Sequence, residues 1–128
     1  VTPEAANYLS KARNDLEEAR KIEAIGLATV AARSAYYAAF HAAEAFIMER
    51  TGKIVKTHSG VRTEFARLAK DTPGIDRRFT NFLAKAYMYK EIGDYAVGPD
   101  ATVTPDAAKA AIVVAEEFID CIAAVLTK

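Results

Sequence analysis

One cysteine, two histidines and no tryptophan stand among the 128 residues of this chain. The single Cys121 rules out an internal disulfide and offers no thiolate cluster. Two histidines in unrelated segments argue against a zinc site made by protein ligands alone. No Glu-x-x-His pair occurs, so the carboxylate–histidine set of the di-iron bundles is missing. No Gly-x-x-x-x-Gly-Lys occurs either, which excludes a Walker-type phosphate loop. Neither a metal nor a cofactor is expected. No apolar run approaches the about 20 residues that span a bilayer. The opening Val1-Thr2-Pro3-Glu4 lacks the basic-then-apolar pattern of a signal peptide, and a cytoplasmic setting is expected.

An excess of charge of one sign is also missing. Seventeen Lys and Arg balance seventeen Asp and Glu, which argues against an indiscriminate nucleic-acid binder. The balance is uneven along the chain. Residues 50–90 carry ten basic groups against three acids, whereas the segments before and after are net acidic. A basic middle suits a phosphate-bearing partner or an acidic protein surface, unless the charges interleave in three dimensions and cancel.

What is present reads as helix. Hydrophobic residues at 52% and charged residues at 27% indicate a globular chain rather than a disordered one, with length for one domain over residues 1–128. Thr2-Pro3-Glu4 opens a helix with a cap, a proline in the first turn and an acid. Ala5, Leu9, Ala12, Leu16, Ala19 and Ile22 then recur at helical spacing, and Gly26 marks the end. A second helix is predicted over 27–51, closing at Thr51-Gly52, followed by a connector at 53–57. A shorter third helix starts at Ser59 and stops at Asp71-Thr72-Pro73-Gly74. The fourth runs over 76–94. Ala96–Asp100 is a loop, and Thr104-Pro105-Asp106 introduces a last helix over 107–126. No stretch alternates as a strand does. The expected fold is all-α, an antiparallel up-and-down bundle of four long helices and one short helix.

Three clusters could carry chemistry. In the second helix Arg33, Tyr37 and His41 are spaced four apart, with Glu44 three beyond His41, so a guanidinium, a phenol, an imidazole and a carboxylate share one face. Arginine offers a planar fork for phosphate and histidine titrates near neutrality. A tyrosine-rich core with His41 held by Glu44 and Arg33 ending in water explains the same spacing. The second cluster is Lys53, Lys56, Thr57, His58, Ser59 and Arg62, where cations surround a helix start and His58 would stand at its mouth. A solvated loop with a Ser or Thr cap explains it equally well. The third is Tyr87, Tyr89, Lys90, Glu91, Asp94 and Tyr95, in which Lys90 and Asp94 are placed to pair.

These residues carry a resemblance. Arg33-Ser-Ala-Tyr36-Tyr37-Ala-Ala-Phe40-His41-Ala-Ala-Glu44, then Lys56-Thr57-His58, then Lys90-Glu-Ile-Gly-Asp94-Tyr95, resembles the HEPN superfamily (higher eukaryotes and prokaryotes nucleotide-binding). More narrowly, it resembles the prokaryotic branch with a Tyr-Tyr-Ala-x-Phe-His helix and a Lys-Thr-His loop. The resemblance implies a bundle of four or five helices that forms homodimers. It implies a partner, a minimal nucleotidyltransferase, in a toxin–antitoxin pair whose toxin is a metal-independent ribonuclease. The family motif is an Arg, four to six residues, then a His, with a tyrosine nearby that the partner adenylylates.

The motif is altered here. Arg33 and His41 are separated by seven residues, as are Arg50 and His58. In the late position Lys90 stands for the arginine and Asp94 for the histidine, with Tyr95 directly after. Three readings follow. The first is a nucleotide- or RNA-binding protein whose contacts are Arg33, Tyr37, Lys56, Arg62, Lys90, Asp94 and Tyr95. The second is a ribonuclease rebuilt around His41 and His58, and the third a non-catalytic dimeric interaction module. Whether the chain is an enzyme stays open at this point.

Overall fold

Both Thr-Pro-acid steps, Thr2-Pro3-Glu4 and Thr104-Pro105-Asp106, cap helices as their sequence predicts. In the computed structural model, which describes residues 1–95, 97–98 and 102–127, five helices follow one another. They are α1 (Pro3–Ala24), α2 (Ala28–Thr51), α3 (His58–Lys70), α4 (Arg77–Tyr95) and α5 (Pro105–Leu126). The all-α bundle is the predicted one, with boundaries shifted by a residue or two. Of the loop expected at Ala96–Asp100, Ala96, Pro99 and Asp100 lie outside the described residues. Among the described residues, no helix is long and apolar enough to cross a membrane.

The caps fix where each helix begins. The Thr2 hydroxyl accepts from the Ala5 N–H at 3.2 Å, and Thr104 accepts from Ala107 at 3.1 Å. Thr57 does the same for α3, accepting from Gly60 at 2.9 Å. Each satisfies an N–H that the first helical turn leaves without a partner. At the far end of α2, Gly52 takes a left-handed φ of 70° and its N–H bonds the Met48 carbonyl at 2.8 Å.

α2 is the axis of the fold and packs against all four other helices. Eight of its twelve buried residues are alanine, and such small side chains let neighbouring backbones approach closely. This helix is apolar almost all round, as a central helix must be. Around it, Phe46 meets Phe65 of α3 at 5.6 Å between ring centres, and Phe118 of α5 joins Phe65 at 5.2 Å and Phe79 of α4 at 5.3 Å.

Gly60 gives a test of the α3 cap. A Cβ there would meet Thr57 Oγ1 and Val55 Cγ1 at 2.7 Å each. Alanine's better helix propensity favours the substitution by up to about 1 kcal/mol. Loss of the cap costs about 0.5–2 kcal/mol, and Val55 must also move. Gly60→Ala is therefore expected to lower stability by about 1 kcal/mol in urea titration. A stabilised variant would contradict this cap geometry.

Candidate functional site

Three turns of α2 raise Arg33, Tyr37 and His41 above one another. The Arg33 guanidinium lies over the Tyr37 ring at 5.0 Å, and the Tyr37 and His41 rings are 6.0 Å apart. His41 Nδ1 is 2.6 Å from Glu44 Oε1, the predicted pair, and Nε2 is 3.5 Å from Asp15 Oδ2 of α1. An open groove of about 430 Å³ runs between α1 and α2, lined by Lys11, Asp15, Glu18, Arg33, Tyr37 and His41 among others. Burial pushes the Asp15 carboxyl above its usual range, with the His41 charge opposing that shift. Sequence reasoning missed Asp15. Its signal was a carboxylate standing beside Ala12, Leu16 and Ala19 on the buried face of α1.

Arg33 also turns toward the end of α4. Its Nε donates to Asp94 Oδ1 at 2.7 Å, while Lys90 Nζ lies 3.0 Å from Oδ2. The same carboxylate thus takes a cation on each oxygen. The approach depends on Gly93, where a Cβ would fall 2.9 Å from Arg33 Cδ. Lys90, then Arg33, hold the Asp94 carboxyl below the ordinary carboxylate range, and Asp94 in turn raises Lys90. At neutral pH Asp94 has no proton to give and Lys90 has none to lose. Lys90 Nζ further lies 5.0 Å from the centre of the Tyr95 ring, a side chain that is 70% exposed.

His58 is not at an open helix mouth. It turns inward from the start of α3 and stacks on Phe40 at 4.4 Å, with Tyr37 at 5.7 Å and Tyr87 at 5.5 Å. Its Nδ1 is 2.8 Å from the Tyr36 hydroxyl. Burial, followed by the charges of Lys90 and Arg62, lowers the His58 pKa, so the ring is neutral near pH 7. Burial raises the Tyr36 phenol well above its ordinary value, an effect that Arg62 partly offsets. The phenol is thus the donor and His58 Nδ1 the acceptor, which assigns the imidazole proton to Nε2. Arg62 lies 4.3 Å over the Tyr87 ring, and its buried Nη1 has no hydrogen-bond partner among the described residues. Lys56 stands exposed in the connector and, among the described residues, no ion pair or ring contact draws it into this group.

The chain therefore gathers Arg33, Tyr37, His58, Arg62, Lys90, Asp94 and Tyr95 where α2, α3 and α4 meet, with His41 on the α1 side of Tyr37. Among the described residues, no group of three or more His, Cys, Asp or Glu is arranged to hold a metal ion. An antiparallel helical bundle with a basic, tyrosine-lined face defines the class. The HEPN domain model matches residues 5–125, and the chain belongs to that family. The crystal structure of TT1696 from Thermus thermophilus shares the fold, with a TM-score of 0.81 at 21% identity over 97% of this chain and 99% of that one. No curated protein matches the chain.

Proposed function

We propose that this HEPN protein is a nucleotide- or RNA-binding module whose phosphate contacts centre on Arg33 and Lys90. The observation that carries the reading is the Asp94 carboxylate set between these two cations at 2.7 and 3.0 Å. A fixed carboxylate holds both side chains in place and so reduces the ordering cost of binding. Arg33 uses only Nε for that bond, which leaves its Nη groups for a phosphate at the rim of the α1–α2 groove. Tyr37 and Tyr95 flank the cations and offer ring faces on which a base can stack. Arg62 lends further positive charge, and Lys56 is an outlying contact for a longer ligand.

The same geometry weighs against a rebuilt ribonuclease. Metal-free RNA cleavage needs a general base and a general acid beside the scissile phosphate. Asp94 is held ionised, His58 accepts from Tyr36 within an aromatic stack, and His41 is engaged by Glu44 and Asp15. Homodimerisation and pairing with a minimal nucleotidyltransferase, as in a toxin–antitoxin system, fit the family. Tyr95, exposed at the end of α4, is the hydroxyl such a partner would modify.

Fluorescence anisotropy with a labelled mixed-sequence RNA tests the proposal. Binding that weakens with salt, and RNA that stays intact, are expected. Cleavage by the wild type that disappears in His41→Ala or His58→Ala would make the protein a nuclease instead. Absence of binding at low salt would reject the module.

A further inference from the structure

α3 and α4 run antiparallel, and the seam between them has two ends. At one end are His58, Arg62, Tyr87 and Lys90. At the other, Lys70, Arg77, Thr80 and Asn81 line a hollow of about 450 Å³ over Ala69 and Ile75. Most other arginines of the basic middle segment are already engaged. Arg67 pairs with Glu64, Arg78 reaches Glu117, Arg50 covers Phe46 and Arg62 covers Tyr87. Among the described residues, Lys70 and Arg77 have no ion pair and no ring contact, and both are exposed. No carboxylate lines the hollow. The nearby Asp76 is occupied as a cap, its Oδ1 accepting from the Arg78 N–H at 2.7 Å.

Two uncommitted cations beside hydroxyl and amide side chains, with no acid in the lining, match the needs of a phosphodiester. Arg77 and Lys90 lie thirteen positions apart on α4, a span of roughly 20 Å at the helical rise. We infer that the hollow is a second phosphate-binding position for single-stranded RNA, which lies along the α3–α4 seam and also engages Arg33 and Lys90. This rests on the RNA-binding reading and adds a length requirement to it. A strand too short to reach both ends engages the Arg33–Lys90 end; a longer one engages both, and the second contact forms at high effective concentration.

Anisotropy titrations compare a trinucleotide with a dodecanucleotide, using the wild type and the double variant Lys70→Ala/Arg77→Ala. The wild type is expected to bind the dodecanucleotide at least tenfold more tightly than the trinucleotide, and the double variant to lose most of that gain. Trinucleotide affinity should stay unchanged. The slope of log affinity against log salt for the longer strand should become shallower by about 0.7, the effect of one phosphate on a single strand. Both side chains are exposed, so an unaltered thermal midpoint is the check on folding. Equal length dependence and equal salt slope in the two proteins would overturn the second position while leaving the Arg33–Lys90 site standing. Absence of binding to either strand would overturn both.

Discussion

Phe118→Ala is expected to lower the free energy of unfolding by about 3–5 kcal/mol, the usual cost of deleting a buried aromatic ring. Phe118 is fully buried on α5, and its ring joins Phe65 of α3 to Phe79 of α4. Around α2 these three rings tie together helices that otherwise meet along short seams. Truncation leaves a cavity that the alanine-rich neighbours are too small to fill. A typical domain is stable by about 5–15 kcal/mol, so the variant should be marginal. Urea titration should show a lower midpoint with an unchanged slope. A loss below about 1 kcal/mol would mean that the ring cluster does not hold these helices together.

Arg33→Ala is the corresponding test of the site. It removes the proposed phosphate fork and leaves Asp94 with Lys90 alone. RNA affinity is expected to fall about tenfold across all sequences, with a salt slope shallower by about 0.7. Arg33→Lys keeps the charge but not the planar donor pair, and should recover only part of the affinity. Stability should hardly change, because the side chain is 38% exposed and ion pairs of that kind contribute little. Unaltered affinity in Arg33→Ala would remove Arg33 from the site. The pH dependence has a definite sign. The folded pKa of Asp94 is lowered from 3.8. Its clamp is therefore fully present above that value and lost only as pH falls through the lower one. Between about pH 5 and 8, binding should not respond to Asp94.

The helices were legible because their ends carry local chemistry. Thr2-Pro3, Thr57, Thr104-Pro105 and Gly52 each act within a few residues of themselves, and spacing within one segment reveals them. Lys90–Asp94 and His41–Glu44 were legible for the same reason, being one helical turn apart. Arg33 and Asp94 are separated by 61 positions, and Tyr36 and His58 by 22. No periodicity joins residues so distant, so the two-cation clamp and the inward turn of His58 emerge only from packing. Asp15 was hidden differently. It belongs to an amphipathic stripe whose expected occupants are apolar, and its partner His41 lies on another helix.

The alanines of α2 have a consequence for how such a protein can change. A larger side chain at Ala31, Ala35, Ala38, Ala39 or Ala42 would push neighbouring helices apart, since each of these positions is fully buried. Arg33, Ser34, Tyr37, His41 and Glu44 escape that confinement, and four of the five line the α1–α2 groove. The keel of the bundle is thus also the floor of the α1–α2 groove. Variation in the lining of the groove is channelled into a handful of positions on α2, or onto the opposing wall, where Lys11 and Glu18 of α1 are exposed.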